Sequence, residues 1–129
     1  MKYVWALALA GCVQVPEVPQ GFVPVERGAY EWRAMSAQGV VLARQSRPRD
    51  PAGDAEFWLT VVRNEMERGG YALQSSEGPA MLFAAPGNAE QSYWVTLALS
   101  DKRITTLEAG GPKAEVEKEL PRLKKIEFK

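Results

Sequence analysis

The most regular hydrophobic pattern in the chain lies near its middle, over residues 54–68. Apolar side chains recur there at helical spacing, as at Val62 and Met66, which predicts one buried face of a helix. Asp54 carries a short side-chain oxygen of the kind that accepts from the free N–H groups of a first turn. Gly69 follows the last residue of the pattern, where we expect a left-handed turn to end the helix. The predicted apolar face consists of Ala55, Leu59, Val62 and Met66, widened by Phe57, Trp58 and Val61.

Six further stretches predict β-strands, two before this helix and four after it. The clearest covers residues 92–100, where every second residue from Tyr93 to Leu99 is apolar. A Gly-Gly-Pro run from Gly110 to Pro112 follows the last stretch, and its composition predicts that the strand ends there. The predicted strands cover residues 29–35, 40–45, 71–75, 80–85, 92–100 and 103–109.

A second helix is predicted over residues 113–128, where Pro121 is expected to introduce a kink or a restart. The element order is then ββαββββα. Tight connections between successive strands favour antiparallel pairing, and strands that are apolar on both faces need cover on both. We therefore predict an α+β fold, with a single antiparallel sheet and helices packed on it, in a globular domain of residues 29–129.

The start of the chain has the pattern of an export signal. Lys2 precedes a short apolar run, residues 4–10, which is far shorter than the ~20 residues of a membrane-spanning helix. The run leads into Leu9-Ala10-Gly11-Cys12, which resembles the bacterial lipobox, a motif that is cleaved before a cysteine that becomes lipidated. We predict a signal peptide over residues 1–11 and acyl chains on Cys12. The alternatives are an ordinary signal peptide with a chance cysteine, or a buried N-terminal strand.

Residues 12–28 are rich in proline, which fixes φ and removes a backbone donor, so we predict a lipid-anchored, partly extended tether. The alternative is an arm in which Phe22 and Val23 lie on the domain. Several acyl chains, at ~0.8 kcal/mol per buried CH₂, would make the attachment to the membrane firm. Val13, not aspartate, follows Cys12. The resemblance to lipoproteins therefore implies the outer membrane, facing the periplasm, if the host is Gram-negative.

Composition narrows the possible chemistry. The chain has 16 basic and 16 acidic residues, with no basic stripe of the kind that binds nucleic acid. It has no histidine and a single cysteine, which excludes Ser-His-Asp and Cys-His catalysis and cysteine-based zinc sites. No glycine-rich phosphate loop is present. We therefore expect no catalytic residue, no metal site and no cofactor.

Three arginines, Arg44, Arg47 and Arg49, lie close together before the central helix. Such a cluster can bind an anionic partner, such as a lipid headgroup, an envelope polymer or a protein. Asp50 and Asp54 lie beside it and partly neutralise it, so the alternative is a solvated surface of mixed charge.

Two residues are candidates for a pocket. Glu108 lies on the same side of its predicted strand as Ile104 and Thr106. If that side is buried, the carboxylate needs a partner such as an arginine; the alternative is an exposed strand end. Trp94 lines a pocket if its face of the sheet is open, and is otherwise part of the core.

Part of the pattern resembles the PsbP-like family, small α/β/α sandwiches with relatives among bacterial lipoproteins. The similarity rests on Phe57-Trp58 opening a helix, Gly70-Tyr71 starting a strand, Tyr93-Trp94 in a long strand and Glu108-Ala109-Gly110 ending one. It spans about residues 29–128. The resemblance implies a non-enzymatic accessory or binding domain and carries over no functional residue.

Two functions remain open. The first is a lipid-anchored envelope protein that binds a protein partner, and an exposed apolar patch over a filled core would favour it. The alternative is a carrier or sensor of a small apolar ligand held between sheet and helix, and a pocket around Trp94 would favour that. An envelope hydrolase would require converging carboxylates in an open cleft.

Overall fold

One sheet of seven antiparallel strands forms the frame of the computed structural model, which describes residues 18–126. Its spatial order is β1-β2-β3-β7-β6-β5-β4. Two meanders, β1 to β3 and β4 to β7, are therefore joined side by side through β3 and β7. The strands are β1 Phe22–Val25, β2 Trp32–Ser36, β3 Val41–Pro48, β4 Ala72–Glu77, β5 Ala80–Ala85, β6 Asn88–Leu99 and β7 Arg103–Pro112, and the helices are α1 Ala55–Arg68 and α2 Lys113–Leu123.

A strand at the start of the sheet corrects the predicted order. β1 pairs with β2, with Phe22 opposite Ser36, so the observed order among the described residues is βββαββββα. The predicted order ββαββββα, and the PsbP-like fold inferred from it, are therefore wrong. β1 was assigned to the tether because it contains Pro24. The sheet tolerates this proline because β1 is an edge strand, where a missing N–H breaks no ladder.

The central helix is confirmed over Ala55–Arg68, and Asp54 caps it by accepting from the N–H of Phe57 at 2.9 Å. Its buried side chains are Trp58 and Val62, whereas Phe57 is 41% exposed. The predicted apolar face was therefore too wide. The left-handed turn is made by Gly70, at φ +92°, and not by Gly69.

The two helices pack on opposite faces of the sheet and give it two cores. On one face, α2 packs Val116 and Leu123 on β6 and β7. On the other, α1 packs Trp58 and Val62 over the β4 to β6 side of the sheet. We call these the α2 face and the α1 face. The α2-face core contains Phe22, Ala34, Val40, Leu42, Ala80, Trp94, Leu107 and Ala109, and the α1-face core contains Met81, Phe83, Val95, Leu97 and Ile104.

The Gly-Gly-Pro run does not end its strand: β7 continues to Pro112, which pairs with Gln91. A Cβ atom on Gly111 would come within 2.7 Å of the backbone oxygen of Gly39. One on Gly110 would come within 3.4 Å of the Tyr93 ring. These glycines therefore let neighbouring groups approach the strand closely. In the sequence, glycine used in this way has the same composition signal as a turn, which is why the predicted strand ended too early.

The assignment of β1 to the sheet predicts different effects for two neighbouring substitutions. Phe22 is 7% exposed in the α2-face core, so Phe22→Ala should lower the free energy of unfolding by about 3–5 kcal/mol. Val23, 65% exposed on the same strand, is the matched control, and Val23→Ala should change it by less than about 0.5 kcal/mol. Urea denaturation of both variants measures the difference. If both substitutions change the free energy of unfolding by the same small amount, residues 22–25 form a tether and not a strand of the sheet.

Candidate functional site

A small cavity lies between α1 and the strands β3, β7 and β6. Its volume is about 90 Å³, and it opens to solvent beside the exposed side chains of Gln45 and Glu65. Its walls combine polar groups from three strands with apolar groups from the helix and the sheet. The lining residues are Gln45, Arg47, Val62, Glu65, Met66, Tyr93, Val95, Ile104, Thr106 and Glu108.

Glu108 is the buried charge of this cavity. The register places it between Ala43 of β3 and Val95 of β6, near the middle of the sheet. It is 6% exposed and lies on the α1 face with Ile104 and Thr106, as the strand alternation predicts. Glu108 is therefore not an exposed strand end.

Neutral groups hold the Glu108 carboxylate. Its Oε1 accepts from the Tyr93 hydroxyl, and its Oε2 accepts from Gln45 Nε2 at 2.9 Å and from Thr106 Oγ1 at 3.0 Å. Within residues 18–126 no arginine or lysine forms an ion pair with Glu108. Gln45, Tyr93 and Thr106 therefore serve as the partners that the buried carboxylate needs, in place of an arginine. Two hydroxyls and an amide donate hydrogen bonds to the carboxylate without cancelling its charge.

The Glu108 carboxylate also affects two tyrosines. Burial, reinforced by the negative charge of Glu108 and the hydrogen bond to it, raises the pKa of Tyr93 far above its ordinary value. Burial and the same charge raise the pKa of Tyr30. Both effects favour the protonated phenol. At neutral pH Tyr93 is therefore a hydrogen-bond donor to Glu108.

Arg47 stands at the mouth of the cavity and is held there by α1. Its two terminal nitrogens donate to the two carboxylate oxygens of Glu65, each at 3.3 Å. Its guanidinium also lies over the ring of Trp58, 5.4 Å from the centroid. Glu65 and Trp58 thus direct Arg47 toward the helix although it lines the same cavity as Glu108.

The three candidate arginines do not form one surface. Arg44 lies on the α2 face, where its Nε is 3.0 Å from Glu31 Oε1. Arg47 lies on the α1 face because side chains alternate along β3. Arg49 donates to the backbone oxygens of Gly53 and Ser100, each at 2.9 Å. The proximity of the three in sequence therefore produces three separate intramolecular contacts.

The other two candidates are placed apart from the cavity. Trp94 is 2% exposed in the α2-face core, on the opposite side of the sheet from Glu108. The strand alternation separates the two, since Trp94 is paired with Ala109 and Glu108 with Val95. Cys12 lies outside the described residues.

A second surface feature lies on the same face of the sheet. The helix α1 covers the β4 to β6 side, and the β1–β2 side of that face carries three exposed apolar residues. Val23 is 65% exposed, Met35 45% and Val25 38%, and Val23 and Met35 are register partners. We call Val23, Val25 and Met35 the open apolar patch.

Neither feature could be assembled from the sequence alone. Gln45, Tyr93 and Thr106 lie in predicted strands, and the sequence does not indicate that Gln45 and Tyr93 contact Glu108. The one available signal was a polar residue on the apolar side of a strand, as at Thr106 and Glu108. Gln45 lies 63 residues from Glu108 in the chain, and Tyr93 lies 15 residues from it. The strand register alone brings both side chains to the carboxylate.

No protein-family model matches the sequence, and no curated protein is significantly similar to it. Among residues 18–126 no group of three or more acidic, histidine or cysteine side chains is placed to hold a metal ion. No helix in that part of the chain is both long and apolar enough to cross a membrane.

The raised pKa of Tyr93 predicts a loss of stability at alkaline pH. Above pH ~10 the unfolded chain loses the phenolic proton that the folded chain keeps, so the free energy of unfolding falls, by up to about 1.4 kcal/mol per pH unit. Tyr93→Phe removes this contribution. Between pH 10 and 11 the free energy of unfolding of the variant should therefore fall less steeply with pH than that of the wild type. At pH 8 the variant should be less stable than the wild type by about 1–3 kcal/mol, because Glu108 loses a donor. Urea denaturation of both proteins at pH 8, 10 and 11 tests this prediction. Equal changes of the unfolding free energy with pH in the two proteins would contradict it.

Proposed function

We propose that this chain is a lipid-anchored module of the bacterial envelope that binds a protein partner and has no catalytic activity of its own. The observation that carries the proposal is the open apolar patch, Val23, Val25 and Met35, over a filled core. The lipid anchor is inferred from Leu9-Ala10-Gly11-Cys12.

The patch has the properties of a binding surface. Val23 lies opposite Met35, and Val25 lies two residues further along β1, opposite Arg33. The three apolar residues thus share one face, and Arg33 borders them there. The opposite side of the same strands is packed, with Phe22 and Ala34 in the α2-face core. A contiguous apolar surface on a folded domain is typical of a site that a partner covers.

The interior does not support a carrier of apolar ligands. Trp94, the residue expected to line such a pocket, is packed in the α2-face core. The cavity of about 90 Å³ is well below the roughly 300–1,000 Å³ of pockets that enclose drug-sized ligands. It also contains the charged Glu108, which disfavours an acyl chain.

The proposed anchor and the patch are close in sequence. β1 begins 10 residues after Cys12 (22 − 12 = 10). A fully extended segment of that length spans at most ~36 Å. A partner bound at Val23 would therefore lie within a few nanometres of the bilayer, which favours a membrane-associated protein. In a Gram-negative host, the absence of aspartate after Cys12 directs the proposal to the periplasmic face of the outer membrane.

Lipidation can be tested by intact mass and detergent partition after expression in a bacterial host. We expect a mature chain that starts at Cys12, carries added acyl mass and enters the detergent phase. Cys12→Ala should lose the acyl mass and the partition, because the chain has no second cysteine. An unmodified wild-type chain in the aqueous phase would contradict the anchor without affecting the patch.

The patch can be tested by photo-crosslinking in the expressing cells. A photoreactive amino acid at Met35 should give an adduct with one protein of defined mass, whereas the same group at Arg63, exposed on α1, should not. Val25→Asp should reduce the Met35 adduct at least fivefold, because a charge in the patch opposes apolar contact. Its melting temperature should remain close to that of the wild type.

Three outcomes would contradict partner binding at the patch. Equal adducts at Met35 and Arg63 would show non-specific encounter. Adducts only at twice the chain's own mass would assign the patch to a second copy. The absence of any adduct at Met35 would leave the surface without a partner.

A further inference from the structure

The charges around the cavity do not cancel. Arg47 contributes +1, while Glu65 and Glu108 each contribute −1, so the lining carries a net charge of −1 (1 − 2 = −1). Arg47 and Glu65 neutralise each other at the mouth. The remaining charge is on Glu108, which is 6% exposed. An anion buried without a counter-charge is costly, and a cation entering the cavity would offset that cost.

The oxygen atoms of the cavity can accept further hydrogen bonds. A carboxylate has about four acceptor positions, and Glu108 uses three of them. The hydroxyls of Tyr93 and Thr106 donate to Glu108 and keep their own lone pairs as acceptors. Three acceptor oxygens on adjacent strands thus match a group with three N–H donors, which is a primary ammonium.

The rest of the lining is apolar and the space is small. Val62, Met66, Val95 and Ile104 supply aliphatic and thioether surface. A cavity of about 90 Å³ is far smaller than a pocket for a drug-sized ligand, so it admits only a small group. The space therefore suits a nitrogen with a short alkyl group.

We propose that this cavity is a binding site for a small primary ammonium group, with Glu108 as its counter-ion and Tyr93 and Thr106 as acceptors. The site is separate from the open apolar patch and does not depend on the proposed partner. A divalent metal fits less well, because Ca²⁺ takes six to eight oxygen ligands and the lining places one buried carboxylate there. An anion is opposed by the net negative charge.

Glu65 has a positioning role in this site. Arg47 is the cationic side chain that lines the same cavity as Glu108. Both of its terminal nitrogens donate to Glu65. Without that pair the Arg47 guanidinium could turn to Glu108 and occupy the place of the ligand. We therefore expect Glu65→Gln to weaken ammonium binding although Glu65 does not contact the ligand.

The test is an NMR titration of the full chain with ethylammonium chloride, which has three heavy atoms, at constant total chloride. Saturable shifts are expected at the amides of Gln45, Thr106 and Glu108. Ethanol, of the same size and neutral, should bind at least tenfold more weakly. Glu108→Gln should weaken ethylammonium binding at least tenfold, whereas Glu90→Gln, an exposed control with the same charge change, should leave it unchanged.

The source of the ammonium group can be separated in the same experiment. n-Butylammonium has the alkyl length of a lysine side chain. If it binds more tightly than ethylammonium, the site accepts a lysine of a polypeptide; if more weakly, it accepts a free small amine. Either order supports a primary ammonium site.

Other outcomes would overturn the proposal. Equal binding of ethanol, shifts that do not saturate, or equal losses in the Glu108 and Glu90 variants would show that no charge-selective site exists. If Glu108→Gln does not fold, Val95→Ile keeps the charge and fills the space with one added methylene. It should weaken binding at least fivefold, and undiminished binding in that variant would exclude the cavity. The crosslinking result at Met35 is independent of all these outcomes.

Discussion

The pairing of β3 with β7 is the contact on which the rest of this structure depends. It joins the two meanders into one sheet, over eight register partners from Val41 opposite Gly110 to Pro48 opposite Arg103. The pairing closes a long loop that contains α1 and three strands, so it must offset the entropy of bringing distant segments together. The Gly111 backbone, pressed against Gly39, shows how closely the two halves approach at one end of this seam.

The same seam creates the candidate site. Glu108 comes from β7, Gln45 from β3 and Tyr93 from β6, and only their register brings these three side chains together. The carboxylate is held by neutral donors, so its hydrogen bonds are largely satisfied while its negative charge has no counter-charge. That combination distinguishes it from a structural ion pair, and its charge adds to burial in raising the pKa of the neighbouring phenols. The proposed ammonium site follows from this imbalance of charge.

Uneven cover of the sheet separates the two functional surfaces. α2 and the residues packed with it cover one face from β1 to β6. On the other face α1 packs over the β4 to β6 side and reaches β3 through the contacts of Arg47 with Glu65 and Trp58. The β1–β2 side of the α1 face therefore remains open, with Val23 and Met35 at its surface. A protein partner and a small cation would thus use neighbouring but distinct parts of one face, because the cavity lies under α1 and the patch lies beyond it.

The sequence by itself determined the local elements: the helix from Ala55 with its Asp54 cap, the strand Ala80–Ala85 and the shared side of Ile104, Thr106 and Glu108 all follow from periodicity and end signals. It did not reveal β1, because proline in an edge strand has the same local signal as proline in a tether. It did not separate Arg44 from Arg47, because the predicted strand ended at residue 45 and β3 continues to Pro48. It did not separate Trp94 from Glu108, because they lie on different strands and only the register relates their faces. The partners of Glu108 and the open half of the α1 face were decided only by tertiary structure, since both depend on contacts between segments far apart in the chain.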